Sequence, residues 1–171
     1  MTGLTSSQTI GPFPHEGWRW AFDATQAMRP SGAALTVEGT IYDGAGQPID
    51  DAVLEAWAPD SAARERDQPM PAFRRVASGA RGEFRFDFTA PVVRGNGEPA
   101  LYVTVFARGL VTHQFTAVVL EDDAGLAHSA ILQQVPEARR ATLIARKKAL
   151  DRYEWNVWMQ GGQETVFFDY T

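Results

Sequence analysis

Apolar residues recur along this chain in short alternating runs, the period expected of half-buried strands. From Ala34 to Tyr42, Leu35, Val37 and Ile41 alternate with polar neighbours, and Gly39 interrupts the run. Asp43-Gly44-Ala45-Gly46 then reads as a turn. Asp51 to Trp57 resumes with Val53, Leu54 and Trp57. Glu83 to Phe88 is the cleanest run, with Phe84, Phe86 and Phe88 alternating with Glu83, Arg85 and Asp87. Leu101 to Phe106 and Gln114 to Leu120 are β-branched and aromatic, as strands favour. Trp155 to Gln160 and Glu164 to Asp169 flank Gly161-Gly162 and predict a closing hairpin.

Two stretches depart from this period. Asp123 to Gln134 and Pro136 to Lys148 are richer in Ala, Leu, Gln and Arg. Pro136 suits the first turn of a helix and Glu137 its positive end, with Leu143, Ile144 and Leu150 as the apolar side. Glu16 to Gln26 is aromatic and fits either class, and Thr5 to Pro14 reads as an extended arm. The pattern as a whole predicts an all-β chain: an antiparallel β-sandwich with short helical insertions and an extended N-terminal arm. Residues 1–171 form one expected domain, with residues 1–30 as arm and lead-in segment.

Composition narrows the function classes. A net charge of -5 argues against a nucleic-acid binder, which presents a basic stripe. Five Trp and ten Phe supply large apolar surfaces for a core, an interface or both. No apolar run approaches the roughly 20 residues of a membrane helix, and Met1 to Pro14 has no secretion-signal pattern. With no cysteine, the chain cannot hold disulfides or thiolate metal sites, and a cytoplasmic location is expected.

No catalytic set stands out from the residues alone. His15, His113 and His128 form no His-x-His or His-Glu-x-x-His pair and are expected to pack or to sit at the surface. There is no nucleophile elbow and no phosphate-binding glycine pattern; Gly95-Asn96-Gly97 reads as a turn. Asp50-Asp51 and Glu121-Asp122-Asp123 read as solvated loop ends. Trp18, Trp20, Trp155 and Trp158 fit a core or an interface equally. These residues by themselves favour a binding or assembly role.

Five segments together resemble the intradiol ring-cleavage dioxygenases. They are Ser7 to Phe13, Gly39 to Asp43 with Gly46 to Ile49 and Ala52 to Trp57, Phe106 to Leu110, Thr112-His113, and Glu164 to Asp169. The likeness spans Ser7 to Tyr170, and the first and last segments are similar to the α chains of members built from two kinds of chain. Catalytic chains of the family bind ferric iron, Fe(III), through two tyrosines and two histidines. Carried over one by one, those positions fall near Glu65, near Val93, and at Ala100 and Tyr102. The resemblance therefore implies an iron-free α subunit with no catalytic residue of its own. It would pair with an iron-carrying β subunit in a higher αβ oligomer that cleaves the catechol acid protocatechuate with dioxygen to 3-carboxy-cis,cis-muconate. It further implies that Thr9, Gly11 and Pro12 of the arm, and Arg108, border a substrate pocket shared with β. For Arg108, the substrate carboxylate and the subunit interface are equal alternatives. A stand-alone, non-enzymatic β-sandwich binding module is the competing reading.

Overall fold

The computed structural model describes residues 11, 14–26, 30, 34–59, 70–90 and 95–169. Two short helices, α1 (Pro14–Gly17) and α2 (Arg19–Gln26), precede the sheets. The strands are β1 (Ala34–Tyr42), β2 (Val53–Trp57), β3 (Phe73–Ala77), β4 (Glu83–Thr89), β5 (Leu101–Phe106), β6 (Gln114–Leu120), β7 (Ile144–Ala149), β8 (Arg152–Glu154) and β9 (Val157–Trp158). Between β6 and β7 lie α3 (Ala130–Gln133) and α4 (Glu137–Arg140).

The strands are ordered β3-β2-β5-β6-β7-β8-β1-β4, with β9 also pairing β1. The path turns at the β6–β7 junction, where only Val119↔Ile144 and Leu120↔Ala145 pair. The first layer is thus β3-β2-β5-β6 and the second β7-β8-β1-β4. Leu54, Val103 and Val105 of the first layer and Val37, Phe86 and Tyr153 of the second belong to one buried cluster. Alternation puts them there: Phe84, Phe86 and Phe88 are buried on one face of β4, while Glu83 and Arg85 point to solvent. The expected antiparallel pairing holds for five strand pairs, but β1·β8, β1·β9 and β6·β7 are parallel.

Gly39 marks a close approach rather than a break in β1. A Cβ there would lie 1.8 Å from the carbonyl oxygen of Trp155. At this point β1 changes partner from β8 to β9, and the Trp155 N–H donates to Glu38 O at 2.8 Å.

Several expectations need correction. The helix expected over Pro136 to Lys148 stops early: α4 covers Glu137–Arg140, a 3-10 turn covers Ala141–Leu143, and Ile144 to Ala149 is strand β7. Leu143 and the Ile144–Ala145 pair are drawn into the sheet and core, while Leu150 caps the β7–β8 hairpin, 84% exposed. Helix in Asp123 to Gln134 is limited to one 3-10 turn and the four residues of α3. The closing hairpin does not become a strand ladder: the Thr165 N–H donates to Trp158 O at 2.9 Å across Gly161-Gly162, but no strand pairing follows. Val157–Trp158 joins β1, and Glu164 to Asp169 crosses to β6, where Phe168 N donates to Phe115 O at 2.8 Å. Strands β3 and β8 were not anticipated. Arg74 of β3 faces inward, buried, and a charged residue at that inward position, beside Arg75, hides the alternation.

Arg74 closes the side of the molecule where β3 meets β4. Its Nε donates to Asp87 O at 3.0 Å, its Nη1 donates to Phe73 O at 2.7 Å, and its guanidinium lies 5.0 Å from the Phe88 ring centre. Burial pulls its pKa below the usual arginine value, opposed by the Asp87 charge.

Candidate functional site

Thr9 and Pro12 of the arm, and Glu65 and Val93 of the carried-over ligand positions, lie outside the described residues. Gly11 is described. Its φ of 89° lies in the left-handed region, and a Cβ there would meet nothing within 4 Å.

Arg108 occupies the turn that leaves β5. Leu110 N donates to Ala107 O at 3.2 Å, and Gly109 supplies the left-handed residue with φ 91°. Arg108 Nε donates to Asp51 Oδ2 at 2.9 Å. Its guanidinium is bonded there, not to Gly11. Asp51 is therefore not the solvated loop end expected from the sequence. At Glu121-Asp122-Asp123 the carboxylates are paired as well, while Glu121 and Asp122 stay open to solvent as expected. Glu121 meets Arg146 at 2.7 Å, Asp122 accepts from Lys147 Nζ and from the Tyr153 hydroxyl, and Asp123 accepts the N–H groups of Gly95, Gly97 and Gly125.

Tyr102 sits on the outer face of the first layer, because alternate residues of β5 point outward, whereas Ala100, one residue before β5, packs against the core cluster. Cross-strand pairing sets Phe73, Trp57, Tyr102 and Ala117 in one row and Arg75, Glu55, Thr104 and Phe115 in the next. These rows border a depression of about 170 Å³. Glu55 is its carboxylate, and the Arg75 guanidinium takes it up at 2.5–2.6 Å while lying 4.9 Å from the Trp18 ring centre. His113 stands at the end of this face, edge-on to Phe115 at 4.6 Å. His128 is exposed on the 3-10 turn Leu126–His128.

A larger cleft, about 790 Å³, opens on the other side, bordered by Glu38, Arg74, Arg85 and Asp87. Its charges are matched in pairs: Arg85 with Asp87 at 2.9 Å and with Glu38 at 3.7 Å. Neither Gly11 nor Arg108, the described residues expected to border a substrate pocket, lines it.

No family model matches the chain. The alpha chain of protocatechuate 3,4-dioxygenase from Burkholderia cepacia is 35% identical over 196 residues, covering 99% of this chain and 100% of that one. The chain belongs to the protocatechuate 3,4-dioxygenase alpha chain family. The Pseudomonas putida alpha chain is 30% identical, covering 97% of this chain and 96% of its own. The beta chain from Burkholderia cepacia is also related, at 26% identity over 93% of this chain and 77% of its own. Among solved structures, the dioxygenase domain of a carbohydrate-binding fusion protein from Streptomyces sp. SirexAA-E shares the fold, with a TM-score of 0.57 at 17% identity, covering 96% of this chain and 100% of that chain.

Alpha chains thus stand among intradiol dioxygenases, which use non-heme iron, and the residues here can be tested for fit to that ion. Ferric iron needs several anionic or imidazole ligands. Ala100 offers a methyl group, and Tyr102 offers one phenol on an exposed sheet face beside Trp57. The nearby carboxylate, Glu55, is already held by Arg75. Among the described residues no three His, Asp or Glu side chains converge. The described part of the carried-over set does not fit iron.

Proposed function

We propose that this chain is the iron-free α subunit of a protocatechuate 3,4-dioxygenase, working with a β subunit that holds the ferric ion. The observation that carries the reading is a pair of likenesses. Over nearly its whole length the chain is similar to alpha chains, and it is also related to a beta chain. Its own carried-over positions Ala100 and Tyr102 lack imidazole. The complex cleaves protocatechuate with dioxygen to 3-carboxy-cis,cis-muconate, and iron supplies the activation of the ring and of oxygen.

Thr9, Gly11, Pro12 and Arg108 border the substrate pocket shared with β. Gly11 suits that role because a glycine leaves room for a ligand beside the backbone. Its left-handed φ also means that a Gly11→Val test mixes strain with crowding; Gly11→Asn, which tolerates this conformation better, separates the two. The subunits work in the cytoplasm as a higher αβ oligomer.

The deciding experiment is co-expression with a β chain, separation of the subunits, and metal analysis of each. Iron is expected with β, and this chain alone is expected to be colourless. One iron per isolated chain, with a visible tyrosinate-to-iron band, would overturn the reading. A soluble monomer that ignores β on a sizing column would favour the stand-alone binding module.

A further inference from the structure

Asp51 and Arg108 lie just beyond the strands they flank, yet the β2·β5 register runs on to them. Val53 pairs with Phe106, and two residues further along each chain come Asp51 and Arg108. The contact that results is one-sided. Asp51 is the anchored end, its side chain 11% exposed, and Arg108 is the presented end, 68% exposed. The bond uses Nε of the guanidinium, at 2.9 Å from Asp51 Oδ2. A guanidinium held by Nε keeps its Nη1–Nη2 edge open, and that edge matches the two oxygens of a carboxylate. Among the described residues Arg108 has no other ion pair. An ion pair this exposed adds little to stability. What it does is order a long side chain beforehand, so that less freedom is lost when an anion binds.

We propose that Asp51 is a positioning residue. It orients Arg108 so that the open guanidinium edge receives the carboxylate of an aromatic acid held in the pocket shared with β. This rests on the reading of Arg108 given under Proposed function, and the test keeps the two apart.

The measurement uses intact, iron-loaded αβ complexes with iron content and elution volume checked for each variant. The variants are Arg108→Ala, Asp51→Ala, Asp51→Asn and the double Arg108→Ala/Asp51→Ala. The substrates are protocatechuate and catechol, which lacks the carboxylate. Arg108→Ala is expected to lower kcat/KM for protocatechuate about tenfold or more, the range of a charged hydrogen bond, with a much smaller loss for catechol. Asp51→Ala is expected to raise KM for protocatechuate roughly three- to tenfold, with kcat within about twofold and catechol unchanged, since orientation contributes part of that bond. Asp51→Asn, which keeps an oxygen acceptor, should recover part of the loss. The double variant should be no worse than Arg108→Ala alone, because Asp51 acts through Arg108.

If Arg108→Ala shows the carboxylate-selective loss and both Asp51 variants match the wild type, the positioning role is wrong and the Arg108 reading stands. If Asp51→Ala harms both substrates equally or loosens the complex, Asp51 is merely structural and the proposal fails. If Arg108→Ala itself shows no selectivity, the reading of Arg108 falls and takes the proposal with it.

Discussion

The two layers of this molecule bury their inner faces in one shared core and present opposite chemistries outward. On the second layer, charges alternate across neighbouring strands: Asp87 and Arg85 of β4, Glu38 of β1 and Arg152 of β8 form a chain of ion pairs at 2.9, 3.7 and 2.7 Å. Lys148 of β7 and Glu154 of β8 extend it at 2.5 Å. On the first layer, the corresponding surface sets exposed aromatic rings, Trp57 at 48% and Tyr102 at 39%, beside the Arg75–Glu55 pair. A face whose charges are matched is at rest in water. A face of exposed rings leaves apolar area uncovered, and such a patch favours contact with another surface. Tyr102, one of the positions to which the resemblance carries an iron ligand, lies on that second kind of face.

The comparison depends first on the shared core. Phe86→Ala should cost about 3–5 kcal/mol, because a fully buried ring is removed from the cluster joining both layers. Urea unfolding of the αβ complex and of the chain would read it. A loss under about 1 kcal/mol would mean that the layers do not share a tightly packed interior.

Next, the aromatic face can be altered without touching the core. Trp57→Ser with Tyr102→Ser should change the stability of the chain by less than about 1 kcal/mol, as exposed positions do, while reducing its self-association at rising concentration. A much larger destabilisation would show these rings packed rather than presented.

The charged face should respond least. Arg152→Ala is expected to cost about 0–1 kcal/mol in thermal or urea unfolding, and less at high salt. Acid acts on the ion pairs beside β7. The Asp122 carboxyl is held below its usual range, first by Lys147 and also by the Tyr153 hydroxyl; Glu121 is lowered by Arg146 and the Lys147 N–H. Their stabilisation is therefore complete above the unfolded carboxylate range near about pH 4, and is lost as pH falls through the lower folded values. A stability profile for Asp122→Asn that still falls as steeply as wild type below about pH 4 would assign the acid loss to other groups.

Much of the fold was legible because alternation is a local property. The Phe84-Phe86-Phe88 run and the Leu35-Val37-Ile41 run dictate which face turns inward, and β1, β5 and β6 have the bounds the pattern predicts. That Ala100 offers no donor atom was legible too, since an alanine side chain ends in a methyl group whatever surrounds it. Strand β3 was hidden because its inward position holds Arg74, whose burial is tolerated only when Asp87 and Phe73 of two different strands supply carbonyls. The helix expected through Leu143 and Ile144 gave way to strand β7 because the β6 edge offers hydrogen bonds and a core that local propensity does not count. The pairing of Asp51 with Arg108 likewise appears only once the β2·β5 register is fixed, as residues 57 positions apart carry no mark of each other in the sequence. Local chemistry thus settled which face of the clean alternating runs turns inward, while partners and directions came from strand pairing, a long-range contact that only the folded chain specifies.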